Sequence, residues 1–227
     1  MAFLSWLNQR KRYSMIYITG SDGAGKTTQV RQVIDQLTAQ GLPVAHRWLR
    51  FPFRLSTLFL VYARLRGLSW YESHPHGQHG YWDFRSSWIM KHLFPILLWL
   101  DALSVAIQSL YWPIATGKVI VCERFVVDML ADLMVATQDF DLLNRWYARW
   151  YIRLIPAGAV ILLLDGDPTC IRQRRKDLVY DRVLPERIRA FQIIATHFGW
   201  PLIAGDQSIA AIHQTICHLI EEPYVCS

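Results

Sequence analysis

The chain has 227 residues, 52% of them hydrophobic and 19% charged, with a net charge of +6. That length suits one compact domain, and so apolar a composition excludes a disordered chain. The four scattered cysteines contain no C-x-x-C pair, which excludes a disulfide framework and a zinc ribbon and makes a reducing, cytoplasmic setting the expectation.

Residues 1–14 read as an N-terminal arm. Phe3, Leu4, Trp6 and Leu7 precede Arg10, Lys11 and Arg12, the reverse of a secretion signal. A short terminal helix or frayed arm is expected there, ahead of a membrane-surface anchor. Met15–Thr19 is a β-rich run ending in a glycine loop, and 25–39 carries Val30, Val33, Ile34 and Leu37 at helical spacing. Gly41 and Pro43 stop that helix before a second strand, 44–48. The stretch 54–66 predicts a helix, with Leu55, Leu58, Phe59, Tyr62 and Leu65 as its apolar set. Residues 72–85 have no period and many turn formers, so an exposed loop is expected. Within it, His74, His76 and His79 are read as a flexible polar loop rather than a metal cluster. Residues 86–112 predict one long apolar helix, or two broken at Pro95. The segment 93–116 is apolar enough to raise a membrane span, but Asp101, Gln108, Pro95 and Pro113 interrupt it. A span needs about 20 apolar residues with few charges, so a buried helix is expected.

A third strand follows at 119–122, then helices at 126–135 and 141–154. The run AVILLL at 159–164 marks a strand buried on both faces. Pro168 opens a helix, 186–198 is helical, 201–204 is a fifth strand, and 209–220 closes the chain. Strands alternating with helices imply a parallel sheet covered on both sides.

The segment Gly20-Ser21-Asp22-Gly23-Ala24-Gly25-Lys26-Thr27-Thr28 fits G-x-x-x-x-G-K-[ST] between a strand and a helix. Glycines let successive N–H groups turn inward on phosphate oxygens, and the following helix adds its positive N-terminal end. Lys26 can reach the β- and γ-phosphates, the Thr27 hydroxyl can ligate Mg²⁺, and Thr28 is placed for the α-phosphate. ATP with Mg²⁺ is therefore the expected nucleotide, and phosphoryl donation its expected use. The arginines form two clusters, five between 47 and 66 without an acid and a second at 172–189. Two clusters around a phosphate loop suit phosphorylated small molecules better than a nucleic-acid stripe, and no nucleic-acid partner is expected.

The stretch GSDGAGKTTQ resembles the phosphate loop of thymidylate kinases. In that resemblance Asp22 is the acidic loop residue near the acceptor. Leu49-Arg50-Phe51-Pro52 is similar to a family segment whose arginine contacts the acceptor's phosphate, which gives Arg50 that role, with Arg47 and Arg54 as companions and Phe51 beside it. Glu123-Arg124 stands where the family carries Asp-Arg-Tyr, and it also resembles the Glu-Arg-Ser of deoxynucleoside kinases. It implies Glu123 toward Mg²⁺ or the acceptor oxygen and Arg124 on phosphate. Residues 164–168 followed by Arg172, Arg174, Arg175 and Lys176 are similar to a strand and lid, and Asp181-Arg182 to the lid's Asp-Arg pair. The lid, 170–186, would bring Arg172, Arg175 and Arg182 to the transferring phosphoryl. Gly205–Ile209 is similar to a segment flanking the adenine. The resemblance runs over 15–52 and 117–222.

The insert, 53–116, departs from it. Counting back from Glu123 puts Trp99 near the family's base-stacking position, and Leu103 replaces an arginine that would hydrogen-bond the base. Stacking on Trp99 alone does not specify a base.

The resemblance thus implies one domain, a P-loop three-layer α/β/α sandwich. Its five-stranded parallel sheet would have the order 2-3-1-4-5, with a helical acceptor and lid region. The implied activity is ATP-dependent phosphorylation of a nucleoside monophosphate, thymidylate first. A different small acceptor (a nucleoside or a sugar) and a non-catalytic nucleotide-binding protein at a membrane surface are the alternatives. A homodimer stays open.

Overall fold

The computed structural model describes residues 14–50 and 54–221. Five parallel strands form the central sheet: β1 (Met15–Gly20), β2 (Val44–Trp48), β5 (Val119–Glu123), β6 (Ala159–Asp165) and β7 (Leu202–Ala204). Side chains alternate across it, as a pleated strand requires. Met15 and Tyr17 of β1, with Ile120 and Cys122 of β5, face one core, while Ile16, Ile18, Val119 and Val121 face the other. Helices α1 (Lys26–Ala39) and α10 (Ile209–Glu221) cover the second face through Val30, Val33, Leu37, Ile212 and Ile216. The first face is covered by α6 (Val126–Thr137), α9 (Leu184–Phe198) and α4 (Phe94–Ala106). The result is a three-layer α/β/α arrangement.

The sheet order is β2-β5-β1-β6-β7, where 2-3-1-4-5 was expected. The labels differ because two unexpected strands, β3 (Ser69–His74) and β4 (Gly77–Trp82), precede β5 in the chain and stand outside the sheet. They correct the expected 72–85 loop. These residues form an antiparallel hairpin with Ser69 opposite Trp82 and His74 opposite Gly77. The turn itself is confined to the Pro75-His76 tip, and the arms carry Trp70, Tyr71, Tyr81 and Trp82, residues suited to a pleated surface.

The rest of the insert is helical. Helix α2 (Thr57–Leu65) precedes the hairpin. After it come α3 (Trp88–His92) and α4 with Pro95 in its first turn, then a π turn at Ile107–Tyr111 and α5 (Trp112–Ala115). The expected division at Pro95 is present: α3 ends at His92 and α4 starts at Phe94, and Pro95 fits that first turn because no N–H is needed from it. The stretch Trp88–Ala115 is, by length and composition, one helix able to cross a membrane. One stripe of it, including Phe94, Leu98, Ala102, Ala106 and Leu110, packs into the core. Asp101 lies on that stripe and is only 1% exposed. The lid residues form α8 (Pro168–Arg174) and a 3₁₀ turn (Lys176–Tyr180) around a small core of Ile171, Leu178, Leu184 and Ile188. The 141–154 helix is shorter than expected, a 3₁₀ turn followed by α7 (Ala148–Ile152).

Candidate active site

The carboxyl ends of β1, β5 and β6 lie side by side, with Ile18 opposite Glu123 and Gly20 opposite Leu164. The phosphate loop leaves β1 at this edge. Gly20 has φ +130°, and a Cβ there would lie 2.0 Å from the Leu164 carbonyl oxygen, so only glycine lets β1 approach β6 this closely. Gly25 caps α1 in the left-handed region, φ 88°, and no acid occupies the first turn of α1. Its positive N-terminal end is therefore left for an anion.

Lys26 is buried and donates to the Ser21 carbonyl across the loop. Burial, and next the charge of Arg124, push its ammonium down to about 7 despite Asp22, Asp128 and Glu123 nearby. The Ser21 hydroxyl is buried without a hydrogen-bond partner. The Thr27 hydroxyl donates to Glu123 Oε1 at 2.7 Å, joining the loop to the end of β5. These two oxygens are donors that suit a hard cation such as Mg²⁺. Among the described residues no group of three or more His, Cys, Asp or Glu could hold a metal by itself. Thr27 and Glu123 would then share the ion with phosphate oxygens and water.

Beyond the loop lies a network of arginines and aspartates. Arg124 takes a left-handed backbone, φ 63°, uncommon for a side chain of its size. It pairs with Asp22 and, at 3.0 Å, with Asp128. Asp128 also accepts from Thr19 Oγ1 at 2.7 Å, Tyr17 Oη at 3.2 Å and the Phe125 N–H at 3.1 Å. Arg50 spans Asp22 (3.2 Å) and Asp132 (3.5 Å). Arg187 reaches Asp132 at 3.3 Å, Asp181 at 3.2 Å and Asp22 at 3.6 Å. Burial alone would raise the Asp22 carboxyl, but Arg124, Arg50, Lys26 and Arg187 hold it far below the usual carboxylate range. Burial opposes the charge on Arg50, and Asp132 with Asp22 outweighs it.

This network forms one wall of a cavity of about 360 Å³. The opposite wall is the hairpin, with Tyr71, His79, Tyr81 and Trp82, and Val135 and Ala136 of α6 make the floor. The hairpin is tied to the lid. His79 contacts the Asp177 carbonyl, Tyr81 donates to the Tyr180 carbonyl at 3.3 Å, His74 stacks on Tyr180 at 4.9 Å, and Arg182 pairs with Glu72 at 3.0 Å.

Of the residues expected from sequence, Gly20–Thr28, Arg50, Glu123 and Arg124 converge on this edge, while Phe51 lies outside the described residues. Trp99 is elsewhere. It packs on Trp150 with ring centroids 5.3 Å apart and is not among the cavity-lining residues. The hairpin supplies the aromatic wall instead, so counting back along one helix could not find it. The three lid arginines are each engaged away from the loop's mouth: Arg172 on the Asp181 carbonyl (3.4 Å), Arg175 on Asp177 and Arg182 on Glu72. Arg175 alone runs close by, its Cγ 3.6 Å from where a Gly23 Cβ would be.

The sequence reading missed Arg187, Asp128 and Asp132. The last two sit four apart on an otherwise apolar helix, each buried. Acids at that spacing inside a buried helix are a signal for an inward-facing polar site.

No protein-family model matches the chain, and no curated protein matches it.

Proposed function

We propose that this protein is an ATP-dependent kinase that transfers a phosphoryl group to a small acceptor bound between the hairpin and the arginine–aspartate network. A nucleoside monophosphate is the first candidate, thymidylate foremost. The observation that carries this reading is the convergence on one sheet edge of a phosphate loop, the Thr27–Glu123 oxygen pair, the buried Arg124 and the partly buried Arg50 and Arg187 that line the cavity. The loop's main-chain N–H groups and Lys26 hold the triphosphate, and Mg²⁺ on Thr27 and Glu123 supplies charge neutralisation at its phosphates. Asp22 bridges Arg50, Arg124 and Arg187, which sets the three guanidinium groups in one place before an acceptor arrives. Preorganised charge of this kind lowers a phosphoryl-transfer barrier without reorganisation at the moment of reaction. Arg175, whose Cγ lies 3.6 Å from where a Gly23 Cβ would be, is the expected lid cation this reading brings to the phosphoryl group.

One observation favours a second acceptor class. On the cavity wall Arg50 and Arg187 are matched by Asp22, Asp132 and Asp181, two positive charges against three negative, and behind it Arg124 is paired with Asp128. A pocket so neutralised suits an uncharged hydroxyl acceptor, such as a nucleoside, better than a phosphate dianion.

The test is ADP release from ATP and Mg²⁺ over a panel of nucleoside monophosphates, nucleosides and sugars, run beside Lys26→Ala. Turnover with thymidylate that disappears in the variant supports the first reading. Lys26-dependent turnover of an uncharged acceptor, with every monophosphate inert, replaces it with the second. No acceptor-dependent ADP release at all would sink both.

A further inference from the structure

The insert exposes an apolar surface that the phosphate half does not use. On and just before α2, Leu55, Leu58, Val61 and Leu65 recur every three or four residues and face outward, Leu58 at 72% and Leu65 at 82% exposure. Ala63 is the only residue of α2 that is fully buried, so the helix rests on a narrow stripe and turns its wider apolar face away from the body.

Tethers fix where that face lies. The Asp101 carboxylate accepts from the N–H groups of Arg54 (2.9 Å), Leu55 (2.9 Å) and Ser56 (2.8 Å) and from the Ser56 hydroxyl (2.6 Å). The start of α2 is thereby seated on the middle of α4. Arg54 also reaches Gln108 at 3.2 Å, and Arg47 of the edge strand β2 reaches the Ser109 carbonyl at 3.2 Å. Around these tethers the long helix exposes Leu100, Ile107, Tyr111 and Trp112, and β2 ends on an exposed Trp48. Apolar arrays of this extent are rare on surfaces that stay in water.

The surroundings are basic. Arg54, Arg64 and Arg66 are exposed, and no acid occurs between Trp48 and Tyr71. A cleft of about 310 Å³ at the far end of α2 is lined by Tyr62, Arg66, Ser86, Ser87 and Trp88, a donor-rich pocket rimmed by an aromatic ring.

We propose that this face docks the protein on an anionic membrane surface. Leucines of α2 and Ile107 enter the boundary between headgroups and acyl chains, Trp88 and Trp112 sit at headgroup level, and the arginines meet lipid phosphates. Charge selects the occupant. A second copy apposed on the same face would bring two acid-free arginine sets together, whereas anionic lipid complements both the apolar and the basic parts. The inference is independent of the phosphoryl-transfer reading, because none of these residues belongs to the cavity.

The experiment is flotation of the full chain with vesicles of phosphatidylcholine and phosphatidylglycerol, and with phosphatidylcholine alone. Leu58→Glu/Leu65→Glu and Arg64→Glu/Arg66→Glu are run beside it. The chain is expected to float with the anionic vesicles and weakly with the neutral ones, and each double variant to bind about tenfold less or weaker still. Leu58 and Leu65 are exposed, so the leucine variant keeps the parent's circular dichroism and melting temperature; Arg64 also donates to the Ser69 carbonyl at 3.2 Å and lies over the Tyr71 ring, so both are recorded for the arginine variant and its binding is read only where they match the parent's. Three results overturn the proposal. The first is no flotation, and the second is flotation unaffected by the leucine variant, which would put the contact elsewhere. The third is a parent dimer in sedimentation velocity that the leucine variant makes monomeric, which would give the face to a second copy.

Discussion

Around the glycine loop, most of the groups proposed to meet a triphosphate are main chain or stand within a few residues of a strand end. In the insert, the cavity wall is made of side chains on a hairpin that pairs only with itself. It is held in place by contacts to residues about a hundred positions away, Tyr81 with Tyr180 and His79 with Asp177. The first region is rigid because backbone approach and glycine conformation leave it no alternative. The second is positioned by a few polar and ring contacts whose loss would move the wall without unfolding the sheet. Under the proposed function, donor binding and acceptor choice would be placed on elements of different stiffness, an arrangement in which the acceptor side can change while the donor side stays as it is.

The comparison can be broken hardest at Gly20. Gly20→Ala puts a Cβ against the Leu164 carbonyl in a backbone region that L side chains rarely adopt, and about 3 kcal/mol of stability should be lost. Urea denaturation measures this. A loss under about 1 kcal/mol would mean that β1 and β6 can separate at that point, and the stiff region would be no stiffer than the insert.

The insert has its own rigid point at Asp101. Asp101→Asn keeps the shape, weakens four hydrogen bonds at the start of α2 and should cost about 2 kcal/mol. The effect should also depend on pH. Burial acts to raise the Asp101 carboxyl, but the Ser56 hydroxyl and the three N–H groups hold it below its ordinary value. A carboxyl depressed in the native state contributes stability that is complete above its unfolded value, near 4, and is lost as pH falls through the native one. Unfolding midpoints should therefore drop below about pH 4 more steeply for the parent than for Asp101→Asn. Parallel curves would show that the carboxylate does not hold α2.

The smallest effect is on the donor side. With Lys26 pushed down to about 7, the unfolded chain carries a proton there, between about pH 7 and the ordinary lysine range, that the native one does not. This group's penalty is complete below about pH 7 and is relieved as pH rises toward the ordinary lysine range. A bound triphosphate restores the charged form, so binding takes up a proton, and affinity should fall about tenfold per unit between roughly pH 7.5 and 9.5. Calorimetry in two buffers of different ionisation enthalpy reads the uptake directly. Equal heats at pH 8.5 would show that Lys26 is already charged before the nucleotide arrives.

What could be read from the residues alone was local. Strand β1, the glycine loop and the start of α1 follow from a pattern nine residues long, because a phosphate cradle is made of backbone whose conformation depends on its own glycines. The β-rich and apolar runs marked all five strands of the sheet for the same reason: short-range propensity and burial on both faces act within each segment. Glu123, Arg124 and Arg50 were singled out by the resemblance to thymidylate kinases, and in the structure they sit at or just past strand ends. Arg187, Asp128 and Asp132 were not, since their importance is one of meeting partners from other elements. Trp99, expected near a base-stacking position, packs on Trp150, and the rings that line the cavity stand on a hairpin that counting along a helix cannot see.

By itself, then, the sequence determined that this chain forms a parallel sheet ending in a glycine loop, and which lysine and threonine follow it. Tertiary structure decided which arginines share the cavity wall, which aromatic rings face them, and which face of the apolar insert is left toward solvent. Those outcomes depend on pairings across tens to more than a hundred residues, where the closing of long loops and the packing of whole elements, rather than local backbone preference, set the geometry.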